Sequence, residues 1–200
     1  RRRRCVRAGD VDVDGHEESL YFLRFLADQR VHDGLRADDR LIFGHAHLSA
    51  WHYSTPLDRQ LRLLMNSSYF GRNEFGAVYC DPWKTAFAPH MSDVPPGLHR
   101  SLWRHVFWRT SVADEYPASV WSYPCCGTFF VRGRAIRRRS RAEYVQIIHN
   151  LRWMAQRVPF FHHYRQSGRM IESGWHVLLG GTTMVPKPPA SICARSEGPA

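Results

Sequence analysis

Two clusters of side chains in this sequence are of types that bind ligands or move protons. His45-Ala46-His47 directly follows the apolar run Leu41-Ile42-Phe43-Gly44. Residues two apart on a strand share a face. Two imidazoles at the carboxyl end of a strand, where ligands gather in open α/β sheets, suit a metal ion or a phosphate. Trp51-His52 lies close behind and adds a wall. The second cluster is Glu172-Ser173-Gly174-Trp175-His176. Glu172 and His176 are four residues apart, so they share a helix face, and a carboxylate beside the Trp175 indole suits a general base. Plainer readings stand beside both clusters. The first is a polar loop closed by histidine hydrogen bonds; the second is a helix-surface pair with Trp175 in the core.

Three further groups carry less chemistry. Asp10-Val11-Asp12-Val13-Asp14 contains two overlapping Asp-x-Asp patterns, which can hold Mg²⁺ or Mn²⁺ against a diphosphate. No apolar strand precedes them, and Asp14 is better used as a helix cap. Cys125-Cys126 precedes Gly127. A free cysteine packs as a small hydrophobe, and packing is the favoured reading here. Arg132, Arg134, Arg137, Arg138, Arg139 and Arg141 form a dense basic stretch. It suits nucleic acid, an anionic membrane or a nucleotide diphosphate. No helix-turn-helix, zinc-finger or RNA-binding signature accompanies it, which argues against nucleic acid. A solvated basic face is the alternative. Arg132, the last residue of a strand, is the ligand-binding candidate of this group.

These groups need elements to position them. Asp14 and Glu17 form a capping box, and Phe22, Phe25 and Leu26 continue a helical stripe, so residues 15–30 are predicted helical. Arg40–Gly44 reads as a buried strand after the turn-like Ala37-Asp38-Asp39. Thr55-Pro56 opens a helix through about residue 67. Residues 77–80 suit a strand, 81–96 carry four prolines and read as loop, and 97–110 as a mixed helix. Gly127–Arg132 reads as a strand. Ser140 and Glu143 form a second capping box for a helix that Pro159 stops, and a shorter helix follows near 169–180, closed by Gly180-Gly181. The tail from Thr182 has few apolar groups and reads as disordered. Strands separated by helices predict one α/β domain over 14–181, behind an irregular segment over 1–13.

Bulk properties agree with one ordinary globular domain. The chain has 200 residues, 44% of them hydrophobic and 23% charged. No run approaches the roughly 18–20 apolar residues of a membrane span, and no signal peptide is visible. The chain opens on Arg1-Arg2-Arg3-Arg4. If an upstream anchor is missing from this piece, the expected location is the secretory pathway, membrane-anchored. The formal charge is +10, and Lys84 and Lys187 are the only lysines. Arginine forks carboxylates and phosphates, so the bias suits an anionic partner. A genome that writes arginine for lysine at solvated positions explains it equally well. Five cysteines without a CxxC pair do not read as a disulfide framework or a common zinc site.

Taken together, the segments resemble the uncharacterised family catalogued as domain of unknown function 3431, found widely in fungi and algae. Gly15-His16-Glu17 and Tyr21-Phe22-Leu23 match its first block. Leu41 to His47 with Trp51-His52 match its second, Cys125 to Ile136 its Cys-Cys strand, and Ala142-Glu143-Tyr144 the helix after it. Ser167, Gly168, Arg169, Glu172, Trp175 and His176 match its final block. The family's strand upstream of the first helix has no convincing counterpart here, and residues 66–110 do not match position by position. The layout is similar to glycosyltransferases of the GT-A type. That likeness implies a three-layer domain with a mixed, mostly parallel sheet flanked by helices. It also implies a nucleotide-sugar donor, an acceptor glycan or small molecule, and a divalent Mn or Mg ion. Glu172 would then activate the acceptor with His176 beside it. His45 and His47 would meet the diphosphate or the metal where such enzymes use Asp-x-Asp, and Trp51, His52, Arg132 and Trp175 would line the ligand. Two rivals remain: a non-enzymatic module that grips an anion with its arginine stretch, and a metal-dependent hydrolase built on His45 and His47.

Overall fold

The computed structural model describes residues 18–44, 57–78, 83–86, 96–116, 121–124, 128–157, 165–181 and 185–193, some by backbone alone. Helix α1 (Glu18–Ala27) is followed at once by α2 (Gln29–Gly34). One continuous helix was expected here. Asp28 breaks it, because its carboxylate accepts from the Val31 amide at 3.1 Å and caps a new start. A turn pinned by Asp39, which accepts from the Arg36 amide at 2.8 Å, delivers strand β1 (Arg40–Phe43). Helices α3 (Leu57–Met65) and α4 (Ser68–Arg72) lead to β2 (Phe75–Ala77). A small two-stranded sheet pairs β3 (Trp83–Ala86) with β4 (Trp121–Pro124). Between them lie α5 (Pro96–Val106) and a 3-10 turn over Ser111–Asp114. Strand β5 (Phe129–Arg132) runs straight into the single turn α6 (Gly133–Ile136). The chain continues through α7 (Arg141–Arg157), α8 (Arg165–Gly180) and the short α9 (Ala190–Cys193).

The main sheet has the order β1-β5-β2, with β5 antiparallel to both neighbours. The expected mostly parallel sheet is therefore corrected: among the described residues every strand pairing is antiparallel. The chain is α/β, but mostly helical around a small sheet. Helices do separate the strands in sequence, yet parallel pairing also needs each crossover to return the chain to the same end. Here β5 enters where β1 and β2 leave.

Period-two alternation sorts β5 between two cores. Phe129 and Val131 join the larger cluster with Phe43 and Phe75, against α1, α5, α7 and α8. Phe130 joins the smaller one with Leu64, Tyr69, Val78 and Ile192. Helices thus cover both faces, as a three-layer domain requires. Helix α7 is the element the sequence specifies best. Tyr144, Ile147, Leu151 and Met154 are buried at spacings of three and four. The Ser140–Glu143 capping box forms in both directions, at 2.8 and 3.3 Å.

The tail expected to be disordered is docked over 185–193. The Tyr69 hydroxyl donates to the Pro186 carbonyl at 2.8 Å, and the Gln60 amide donates to the carbonyls of Val78 and Ile192 at 3.0 and 3.1 Å. Cys193 is disulfide-bonded. Its partner lies outside the described residues. Among the described residues no helix is long and apolar enough to cross a membrane.

Candidate functional site

The main sheet has two unlike ends. Arg40, Phe75 and Arg132 lie at one; Phe43, Ala77 and Phe129 are paired at the other. At this second end Gly44 follows β1, Val78 follows β2, and Thr128 precedes β5. The Val78 amide donates to the Thr128 carbonyl at 3.4 Å. A Cβ on Gly44 would lie 3.5 Å from Thr128 Cγ2. The two parallel outer strands therefore give out together beside the start of the central one.

Helix α8 runs lengthwise over the larger core. Its C-terminal turn is fastened at the Arg132 end, where the Arg138 guanidinium donates to the Gly180 carbonyl at 3.0 Å and reaches the Glu74 carboxylate. Upstream, the Trp175 ring packs against Phe129 at 5.3 Å and Phe22 at 6.1 Å between centroids. Position 172 lies three residues further, about 4.5 Å along the helix. Its backbone thus approaches the end of the sheet at which β1 stops. Gly174 sets how closely α8 lies on α5, since a Cβ there would stand 2.9 Å from the Trp103 ring.

Of the expected site residues, Trp175 and His176 are core groups, 2% and 1% exposed. Burial pushes the His176 imidazole down to about 3, so it is neutral at neutral pH. Arg132 is not brought near the Gly44 end. Strand β5 enters there and finishes about 10 Å away. The Arg132 guanidinium donates to the Gly71 carbonyl and lies 3.7 Å from Asp38. His45, His47, Trp51, His52, Asp10, Asp12, Asp14, Cys125 and Cys126 lie outside the described residues, as does the side chain of Glu172. Among the described residues no group of three His, Cys, Asp or Glu could hold a metal ion.

The arginine stretch is spent on the fold. Arg139 is buried and forks Glu115 at 2.8 and 2.6 Å, while also donating to Ser111 Oγ at 2.7 Å and the Leu178 carbonyl at 3.2 Å. Arg134 and Arg138 share Glu74. Arg137 donates to the Leu35 carbonyl at 3.2 Å and Arg141 to the Ala27 carbonyl at 2.9 Å. Glu143 belongs to the same network. Burial works to raise its pKa, but hydrogen bonds from Ser111 and Ser140 outweigh that and hold it below the usual carboxylate range.

Sequence reasoning missed Thr128. Its hydroxyl is fully buried and, among the described residues, without a hydrogen-bond partner, as is the Trp175 indole N–H. A single polar residue inside the run Cys125 to Val131 was the available signal. Arg132 Nε is also buried and unpaired, at the opposite end, but its guanidinium is otherwise engaged. Buried polar groups are almost always paired, so the two near Thr128 call for an explanation.

The fold is an α/β domain in which helices sandwich a small antiparallel sheet. A family model described as a protein of unknown function, DUF3431, matches residues 10–196. The chain belongs to that family. No curated protein and no solved structure matches it.

Proposed function

We propose that the chain carries a ligand site at the Gly44–Val78–Thr128 end of the sheet and uses it to transfer a sugar from a nucleotide-sugar donor. The observation that carries this reading is the course of α8, which brings the backbone of position 172 towards the end where β1 gives way to His45-Ala46-His47. The unpaired Thr128 hydroxyl and Trp175 N–H support a polar occupant. Leu41 and Phe43, the odd-numbered positions of β1, pack with the larger core on which α8 lies, so His45 and His47 would face that core if the alternation continued past the strand. Glu172 would take the proton from the acceptor hydroxyl as it attacks the sugar, and neutral His176 on the same helix would orient it. His45 and His47 would hold the diphosphate, or a divalent ion that neutralises it, with Trp51 and His52 beside them. The layout resembling GT-A enzymes points the same way by analogy alone. The disulfide at Cys193 fits an oxidising compartment such as the secretory pathway.

The anion-gripping reading of the arginine stretch loses support, because its guanidiniums are engaged within the chain. The test of the leading reading is release of nucleoside diphosphate from a panel of nucleotide sugars and acceptors. Glu172→Gln is expected to cut turnover by roughly 10²–10⁴-fold while donor binding is kept. Equal turnover in wild type and variant removes Glu172 from the chemistry.

A further inference from the structure

The exposed large hydrophobic side chains of the described residues are Trp108, Val145 and Trp153, at 59%, 43% and 48% exposure. All three lie on α7 or on the turn that ends α5. At about 100° per residue, Val145, His149, Arg152 and Trp153 fall within one arc of roughly 100° on α7. This arc is opposite the buried stripe of Tyr144, Ile147, Leu151 and Met154. Trp108 is fixed beside it. The Asn150 side-chain amide donates to the carbonyls of Val106 and Trp108, both at 2.9 Å, and is held in turn by Gln146 at 2.8 Å. Arg109 adopts a positive φ of 61°, which ends the helical run and fixes the turn.

Among the described residues the charge around these groups is mainly positive. Residues 96–110 contain no carboxylate, and Glu143 is the only one on α7. Glu115 is paired with Arg139, while Glu143 is held only by the neutral donors of Ser111 and Ser140, which leaves the carboxylates of Glu143 and Asp114 against four arginines. Arg104, Arg109 and Arg152 are exposed and, among the described residues, have no carboxylate partner. Arg157 lies over the Trp153 ring at 5.6 Å.

We infer that this outer face of α5 and α7 docks on an anionic membrane surface. Indoles settle at the headgroup level, and each nearby arginine adds attraction to anionic lipid. A single-stranded nucleic acid also combines arginine with aromatic stacking. The exposed Val145, which has no ring to stack on a base, favours the acyl boundary of a membrane instead.

The test is flotation of the full chain with vesicles of phosphatidylcholine alone or mixed with phosphatidylserine, alongside titration of a single-stranded oligonucleotide. Binding is expected only to the anionic vesicles, weakening as salt rises, with a blue shift of indole fluorescence. Arg104→Ser, Arg109→Ser and Arg152→Ser together should weaken it on the order of 100-fold, about fivefold for each guanidinium. Trp108→Ser with Trp153→Ser should abolish the blue shift. Arg134→Ser with Arg138→Ser, whose guanidiniums already hold Glu74, should leave binding as it is. A cooperative urea transition shows that each variant is folded, with the midpoint lowered for Arg134→Ser with Arg138→Ser, which breaks both Glu74 pairs. Absence of binding to anionic vesicles at low salt overturns the inference. So does equal binding to both vesicle types, or an oligonucleotide affinity exceeding that for vesicles and lost in the same triple variant.

Discussion

The two ends of the main sheet spend their polar groups in opposite ways. At the Arg132 end, nearly every guanidinium finds an oxygen. Glu74 takes Arg134 and Arg138, the Gly71 carbonyl takes Arg40 and Arg132, and Arg138 closes the last turn of α8. Gly133 lets the chain pass so close to Arg36 that a Cβ would lie 2.1 Å from its carbonyl oxygen. At the Thr128 end, a buried hydroxyl and a nearby indole N–H have no partner among the described residues, whereas at the Arg132 end the buried group left over is Arg132 Nε, on a guanidinium whose other nitrogens reach Gly71 and Asp38. One end is built for stability. The other gives up hydrogen bonds, which is the usual mark of a place shaped for something else.

Acid should have the largest effect, acting on the helix that joins the two ends. The His176 imidazole is held down at about 3 in the folded protein, against an ordinary value of 6.5. Below pH 6.5 the unfolded chain takes up a proton that the folded chain refuses, so stability falls as pH falls. The slope is about 1.4 kcal/mol per pH unit, on the order of 4 kcal/mol across the window to about pH 3. Urea unfolding of wild type and His176→Leu over this range should show a shallower decline for the variant; parallel declines would place the imidazole in water.

Removing the buried clamp comes next. Arg139→Ala deletes the fork to Glu115 and the bonds to Ser111 and Leu178, and should cost about 3 kcal/mol by urea denaturation. Glu74→Ala breaks two pairs whose arginines are about half exposed, so about 1 kcal/mol is expected. If it costs as much as Arg139→Ala, the arginines act as one network rather than as one buried clamp and a surface pair. At the other end the sign should reverse. Thr128→Val removes an unpaired hydroxyl at nearly constant shape and should raise stability by about 1 kcal/mol. A loss of similar size would mean that the hydroxyl is satisfied and the contrast between the ends is unfounded.

Much of this frame was legible in the sequence, and the failures are physical. Helix α7 carried its own box and stripe, and β1 and β5 stood out as short apolar runs. Strand direction was not legible, because alternation fixes which face a side chain takes and not which end the chain enters. Strand β3 was hidden among prolines, whose missing N–H argues for loop unless the strand lies at an edge. The docked tail was missed because Ile192 is a single apolar anchor in a polar stretch, fixed by a distant Gln60. The arginine run looked like a surface for a partner because sequence shows the guanidiniums but not the acceptors. Glu74, Glu115 and the engaged carbonyls of Ala27, Leu35, Gly71, Leu178 and Gly180 lie far off in the chain. The Glu172-to-His176 block was legible as helical, as it is in α8, while the His45-Ala46-His47 segment lies outside the described residues. That α8 runs towards the Gly44 end of β1 depended on the Arg138–Gly180 contact, which no local pattern reveals.

The central claim is that ligand binding belongs to the Thr128 end. Its most direct test is calorimetric titration of nucleoside diphosphates, with and without Mn²⁺, into four proteins. These are wild type, His45→Ala with His47→Ala, Thr128→Val, and Arg134→Ser with Arg138→Ser. The account predicts that wild type binds, that the histidine variant does not, that Thr128→Val binds more weakly although it is more stable, and that the arginine variant binds as wild type does. Binding that survives at the histidines and disappears with the arginines would move the site to the opposite end of the sheet and contradict the account.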